Sequence, residues 1–170
     1  MVYKDVFVEQ LVKHKLRLKN ILIKIAAILL GVVVTLTAWL ISPTYSYIIF
    51  AAAWIAAYLI FKSQEYEFEY TFTHGDFDVD RIVAQRRRKR LLATKCIYID
   101  LMAPYDEAHK HLADNYVLTR TVDYSSSPKA EGRWFFIFTG ASGLKVRVII
   151  EPTPKMLQAF QDELRDKVRQ

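Results

Sequence analysis

The chain has 170 residues, of which 52% are hydrophobic and 14% aromatic, and its 24 Lys and Arg against 18 Asp and Glu give a formal net charge of +6. This apolar content excludes an intrinsically disordered chain, and the single cysteine excludes a disulfide framework and a cysteine-based zinc site. The mean hydropathy of +0.08 is compatible with one soluble domain or with a membrane segment joined to a polar domain.

The distribution of charge decides between these two classes of protein. The 37 residues from Ile25 to Phe61 include no Asp, Glu, Lys, Arg or His. One span needs about 20 residues, so the run is long enough for two membrane helices joined by a turn at Ser42-Pro43-Thr44. We predict a transmembrane hairpin over residues 21–61, with helices at 21–41 and 45–61. A secretory signal is the alternative for the first helix, but no small-x-small cleavage pattern follows it.

Small residues recur at intervals of four on both predicted helices. The first helix has Ala27 and Gly31, and the second has two such pairs, Ala53/Ala57 and Ala52/Ala56. This spacing lets helix backbones approach closely in a bilayer. We predict helix packing through Ala27, Gly31, Ala53 and Ala57, although alanine is also simply common in membrane helices.

Basic residues flank the predicted hairpin and are absent from its turn. Residues 1–62 have a net charge of +5, whereas residues 63–170 have a net charge of +1. By the positive-inside rule we predict a cell-membrane protein with both termini cytoplasmic. Cys96 then needs no oxidising compartment, and we predict that it is a buried apolar residue.

The segment before the hairpin has the pattern of an amphipathic helix. Its apolar residues share one face of a helical wheel, and its basic residues occupy the rest. We predict that residues 1–20 form a basic helix in the inner membrane interface, with packing on the C-terminal domain as the alternative. The lipid-proximal cations of this region and of the hairpin are Lys13, Lys15, Arg17, Lys19, Lys24 and Lys62.

From residue 65 onward the hydrophobic period changes to two. Residues 65–73 alternate polar with aromatic, His74-Gly75 forms a turn, and residues 77–84 form the return strand. Further strands are predicted at 94–102, 116–122, 133–139 and 145–150.

The end of the chain has a helical pattern. Thr153 can cap a helix that has Pro154 in its first position. About six strands closed by a C-terminal helix predict a cytoplasmic α+β domain over residues 65–170, with the element order of a small PH-like β-barrel or sandwich.

Six stretches of the chain carry a resemblance to a known family. They are FTHGDFDVD at 72–80, RRRKR at 86–90, MAPY at 102–105, DYSS at 123–126, RWFF at 133–136 and EPTPKML at 151–157. These stretches resemble an uncharacterised bacterial family of small two-span membrane proteins. More distantly, the architecture is similar to that of bacterial membrane-anchored PH-like domain proteins. The resemblance implies a fold and a membrane location, and no particular activity.

The strongest local signal is the basic run, Arg86-Arg87-Arg88-Lys89-Arg90. The first two strands are about equally long, so the chain returns after them to the height at which it left the second span. The basic run then lies beside the inner leaflet, where anionic lipid attracts each cation by about 1 kcal/mol. We predict lipid docking by this run. The alternatives are pairing with the acidic strands, a solvated turn and, least favoured because of the two spans, nucleic-acid binding.

Other constellations indicate little chemistry. The turn Thr73–Asp76 lacks the basic residues with which PH domains bind phosphoinositides. Glu107 and His111 have a zinc-ligand spacing on a helix but no third ligand, and the acidic strands are not followed by a calcium loop. Nucleophile motifs and phosphate-binding glycine loops are absent from the sequence. We predict no cofactor, no metal and no enzymatic activity.

The segment 134–138 is apolar on both alternating faces. Trp134, Phe136 and Phe138 are either ordinary core or a partner surface. We therefore predict a non-enzymatic, membrane-anchored binding or scaffolding protein that sits on the anionic inner leaflet. It engages a membrane or cytoplasmic protein or a second copy, without nucleic acid. The alternative function is an accessory or regulatory subunit that joins a larger membrane complex through the hairpin.

Overall fold

A computed structural model of the protein describes residues 6–15, 18–140 and 142–169. The chain divides into two compact units. A helical unit comprises Lys15–Tyr66 and Val83–Arg87, and a larger unit comprises Met1–His14, Glu67–Ile82 and Arg88–Gln170.

The helical unit contains two long apolar helices, as predicted. α1 spans Leu18–Ile41, α2 spans Pro43–Ser63, and Ser42 lies between them. Pro43 takes the first position of α2, where its missing N–H leaves no donor unpaired. By length and composition, each helix is able to span a membrane.

The segment before α1 differs from the prediction. Residues Phe7–Lys13 form a strand, β1, so the amphipathic helix predicted over residues 1–20 is wrong here. Val8 and Val12 are buried and the residues between them are not, which is the alternation of a strand. Apolar residues four apart fit a helix, but four is also a multiple of two. A pairing partner far along the chain therefore decides the conformation.

β1 is the first strand of a four-stranded sheet. β2 (Tyr66–Thr73), β3 (Asp76–Val83) and β4 (Arg87–Lys95) complete it in the order β1-β2-β3-β4. β1 pairs antiparallel with β2 and places Lys13 opposite Glu67. The two apolar helices are therefore an insertion between two neighbouring strands.

Both hairpin turns of this sheet have left-handed backbone. His74 and Gly75 form the β2–β3 turn, as predicted, with φ of 48° and 78°. In the β3–β4 turn Ala84 and Gln85 have φ of 50° and 57°. Glycine and asparagine adopt such angles most readily. The second turn contains neither residue type, so the sequence did not predict it.

The basic run lies mostly within a strand. The strand predicted over 94–102 is instead the end of β4, a 3-10 turn over Cys96–Tyr98 and the start of β5 (Ile99–Pro104). β4 lies at the edge of its sheet, where charged side chains are tolerated. Hydrophobic periodicity cannot reveal a strand whose first four residues are cationic.

A second four-stranded sheet and a helix complete the larger unit. β5, β6 (Leu118–Asp123), β7 (Trp134–Thr139) and β8 (Lys145–Ile150) follow the order β5-β7-β8-β6, with β6 parallel to β8. The predicted C-terminal helix is confirmed as α3 (Pro154–Leu164), and Thr153 accepts a hydrogen bond at its N-terminus.

Aromatic rings fill the core of the larger unit. Phe72 and Phe77 of the first sheet, Phe136 of the second and Phe160 of α3 pack with ring centroids 4.9 to 6.2 Å apart. Phe135 belongs to a second apolar cluster on the other face of its sheet. The strands number eight rather than about six, and across the described residues they form two separate sheets and no closed barrel.

Candidate functional site

The cations of the basic run have two different environments. Arg88 Nη2 lies 2.8 Å from Glu69 Oε2, and its Nε lies 2.6 Å from Asp80 Oδ2. Arg90 lies 3.1 Å from Asp78 Oδ2 and 3.4 Å from Asp80 Oδ1. Glu69 and Asp80 are buried, and a buried carboxylate without a counter-charge is unfavourable. Arg88 and Arg90 supply that counter-charge. For these two arginines the intramolecular-pairing alternative is correct.

The charged face of the first sheet extends to β1. Burial raises the pKa of Glu69, and a hydrogen bond with Glu9 of β1 raises it further. The positive charge of Arg88 opposes both effects. The strand that replaces the predicted N-terminal helix therefore supplies one member of this charge cluster.

Arg86, Arg87 and Lys89 have no such partner among the residues that the structure describes. All three side chains are exposed, and within the described part of the chain none of them forms an ion pair or a side-chain hydrogen bond. Side chains alternate along a strand, so Arg87 and Lys89 point away from the face that carries Arg88 and Arg90.

Arg86 and Arg87 lie beside the end of α2, within the helical unit. Ala84 N donates a hydrogen bond to Glu65 O over 3.0 Å and ties the β3–β4 turn to the residues after α2. A groove of about 520 Å³ lies there and combines apolar with cationic side chains. We call it the α2 groove, and its lining residues are Tyr58, Leu59, Lys62, Ser63, Val83, Ala84, Gln85, Arg86 and Arg87.

Glu65 lies close to one lysine of each helix, Lys24 of α1 and Lys62 of α2. Lys24 Nζ lies 3.8 Å from Glu65 Oε1 and 5.3 Å from the centre of the Phe61 ring. Lys62 Nζ lies 3.7 Å from Glu65 Oε2. These two lysines are thus partly neutralised, which leaves Arg86 and Arg87 as the unpaired cations of the groove region among the residues described.

The other predicted lipid-proximal cations lie on or next to β1, or outside the described residues. Lys13 lies on β1, 3.7 Å from Glu67, and Lys15 is exposed. Arg17 and the side chain of Lys19 lie outside the described residues.

A known protein family matches a region that includes both apolar helices and both sheets. A family model described as a bacterial PH-like domain (DUF6106) matches residues 4–170. The chain belongs to this family. No curated protein and no solved structure matches it. The predicted resemblance to bacterial PH-like domain proteins is confirmed.

In this PH-like protein the first strand-to-strand connection is the pair of apolar helices. The sequence predicts that the Thr73–Asp76 turn is the first connection. Its lack of basic residues then disfavours phosphoinositide binding. With β1 in the sheet, the turn is the second connection and residues 14–65 form the first. The lack of basic residues in the Thr73–Asp76 turn therefore does not bear on phosphoinositide binding.

The small residues of the helices divide between buried and exposed positions. Ala27, Gly31 and Ala57 are buried and Ala53 is half-buried, whereas Ala52 and Ala56 are exposed. A Cβ added at Gly31 would meet no atom within 4 Å. The buried stripe therefore includes the predicted residues, but close approach of the backbones does not depend on glycine.

The predicted partner surface on β7 is wrong at its centre. Phe136 is 0% exposed and packs against Phe77 and Phe160, because the first sheet and α3 cover this face. Trp134 and Phe138 are half-buried.

Glu107, His111 and Cys96 lack the geometry or the protonation state that metal binding or thiol chemistry requires. Lys110–Ala113 form a 3-10 turn, so Glu107 and His111 do not have the helical spacing on which the zinc argument depended. In the described ranges no three His, Cys, Asp or Glu side chains are grouped to hold a metal ion. Burial raises the pKa of Cys96 to about 12, which keeps its thiol protonated at neutral pH.

Proposed function

We propose that this PH-like protein is a membrane-anchored scaffold whose domain is held on anionic lipid and engages a protein partner, without catalysing a reaction. The α2 groove carries the proposal, because Arg86 and Arg87 have no carboxylate partner among the described residues. The family match and the two apolar helices support the membrane-anchored domain.

The insertion of the helices supports a common side for both termini. β1 and β2 are neighbours in one sheet, so a hairpin between them leaves and re-enters the same side of a bilayer. The cationic excess of residues 1–62 favours the cytoplasmic side. The 21 residues of α2 rise about 31 Å, so its last turn reaches the headgroups of the inner leaflet.

A phospholipid matches the chemistry of the α2 groove. Tyr58 and Leu59 offer apolar contact to an acyl chain, and Arg86 and Arg87 offer charge-assisted hydrogen bonds to a phosphate. Ala84 and Gln85 have left-handed backbone, which costs on the order of 1 kcal/mol of conformational free energy at each residue because neither is glycine. Strain of this kind is concentrated at binding sites, which favours a functional role for the turn.

The experiment counts the phosphatidylglycerol that copurifies with the full chain from mixed phosphatidylcholine and phosphatidylglycerol micelles, by mass spectrometry. A fragment that begins at Glu65 is unsuitable because it lacks β1. The variant is R86Q/R87Q, and the control K129Q/K155Q removes two exposed charges elsewhere. At about 1 kcal/mol per juxtamembrane cation, R86Q/R87Q should lower the relative affinity for phosphatidylglycerol roughly thirtyfold. Equal enrichment by wild type and R86Q/R87Q would contradict lipid docking.

One observation favours a second function, an accessory or regulatory subunit of a larger membrane complex. Ala52 and Ala56 form an exposed small-x-x-x-small pair on α2. Such a pair allows a helix of another protein to approach closely. In that case A52L/A56L should release the protein from its native complex on a blue-native gel, while R86Q/R87Q leaves the complex intact.

A further inference from the structure

Half-buried cations of the larger unit have partners, with two exceptions among the described residues. Lys145 lies against Asp100, and Lys167 donates hydrogen bonds to two backbone carbonyl groups. Arg133 and Arg147 are also half-buried, yet neither has a carboxylate partner in the described part of the chain. A partly desolvated cation without a counter-charge is unfavourable, so these two positions need an explanation.

Both guanidinium groups lie on one aromatic ring. Arg133 Cζ is 4.7 Å and Arg147 Cζ is 5.9 Å from the centre of the Tyr105 ring. The ring packs edge-on against Phe135, with 6.2 Å between centroids, and Tyr105 N donates to Arg133 O over 2.8 Å. The residue after β5, the residue before β7 and the middle of β8 therefore bring two like charges close together.

Among the described residues, hydrogen-bond partners are found for only one nitrogen of each guanidinium. Arg133 Nε donates to Ala130 O and Arg147 Nε donates to Thr121 Oγ1, each over 3.2 Å. The terminal Nη groups have no acceptor among the described residues. Terminal guanidinium nitrogens bind the oxygens of carboxylates and phosphates in forked geometry.

The charge of the site selects among these anions. Two uncompensated cations match a phosphate monoester, which carries a charge of about −1.5 to −2 at neutral pH, better than a carboxylate or a phosphodiester with a single charge. We propose that Arg133 and Arg147, arranged on Tyr105, bind a phosphate monoester, either free in solution or as the headgroup of phosphatidic acid. This site lies on the second sheet and shares no residue with the α2 groove.

The first experiment measures protection of Arg133 and Arg147 from phenylglyoxal in the full chain in nanodiscs, by peptide mass spectrometry. Glycerol 3-phosphate in phosphatidylcholine nanodiscs should slow modification of both residues at least tenfold if the ligand is soluble. Phosphatidic acid in the bilayer should do so if the ligand is a lipid, and phosphatidylglycerol, a diester, should not. Exposed Arg120 on β6 is the internal control. Absence of protection by both monoesters overturns the proposal.

The second experiment uses variants that keep the positive charge. R133K/R147K retains both cations but loses the planar fork, so calorimetric affinity for glycerol 3-phosphate should fall at least tenfold while the thermal unfolding midpoint stays the same. K129Q/K155Q, which removes two exposed charges elsewhere, should bind as wild type does. Unchanged affinity in R133K/R147K overturns the proposal.

Discussion

At the scale of single residues, a buried carboxyl group has the most unusual chemistry in the first sheet. Glu69 is 6% exposed and lies 2.8 Å from Arg88. Even so, burial and the hydrogen bond with Glu9 raise the pKa of Glu69 above its ordinary value of 4.5. The attraction of Arg88 is thus weaker than the cost of removing the carboxylate from water beside a second acid.

This shift predicts a pH dependence of stability. An acid with a raised pKa binds its proton more tightly in the folded state than in the unfolded state. Its contribution to the free energy of unfolding is therefore full below pH 4.5 and is lost as the pH rises through the raised pKa. Glu69→Gln mimics the protonated form. We expect its thermal unfolding midpoint, relative to wild type, to increase from about pH 4 to about pH 7.

The control for this prediction is Glu67→Gln, which removes a carboxylate from the same strand at its pair with Lys13. A difference between Glu69→Gln and wild type that stays constant over this pH range would show that the ionisation of Glu69 does not affect folding.

At the scale of elements, β4 joins two roles in one strand. Arg88 and Arg90 neutralise the acidic strands β2 and β3, while Arg87 and Lys89 have no described partner. The sequence raised lipid docking and intramolecular pairing as competing interpretations of the whole run. Because side chains alternate along a strand, ion pairing with the acidic strands involves every second residue of the run. The residues between them remain available for lipid docking.

Neighbouring arginines on β4 should therefore differ sharply in their effect on stability. Arg88→Met removes the cation between buried Glu69 and Asp80 and should lower the free energy of unfolding by about 3 kcal/mol. Arg87→Met should change it by no more than about 0.5 kcal/mol. Urea unfolding of the full chain in detergent measures both, and similar losses in the two variants would refute the two-role assignment.

At the scale of the whole molecule, the domain is interrupted in sequence by the two apolar helices. Gln10 shows that β1 is an integral part of the domain, because its Nε2 donates to Glu151 O over 2.7 Å and its Oε1 accepts from Thr153 N over 2.8 Å. The first strand is thus fastened to the segment before α3 as well as to β2. A domain that began at residue 65 would lack both sets of contacts.

The helices should accordingly be dispensable for folding, whereas β1 should not. Lys13 and Glu67 are opposite each other, so a linker of about four Gly and Ser residues can replace residues 15–64. We expect that variant to be soluble without detergent and to unfold cooperatively by circular dichroism. The fragment 65–170 should lose cooperative unfolding because β2 becomes an uncovered edge. Equal unfolding curves for the two proteins would mean that β1 is not needed.

The sequence by itself determined the elements whose signals are local. An uncharged run of 37 residues interrupted at Pro43 indicates two apolar helices, His74-Gly75 indicates a turn, and Thr153-Pro154 indicates the start of α3. Each signal depends on residues within one helix or one turn, so no other part of the chain is needed to read it.

Only the tertiary structure decided that the first segment is a strand, and which cations of the basic run are neutralised. Both outcomes depend on partners distant in sequence, Glu67 opposite Lys13 in one case and Glu69 beside Arg88 in the other. Strand pairing and ion pairing are set by neighbours in space, and the periodicity of a single segment contains no information about which distant segment will lie beside it.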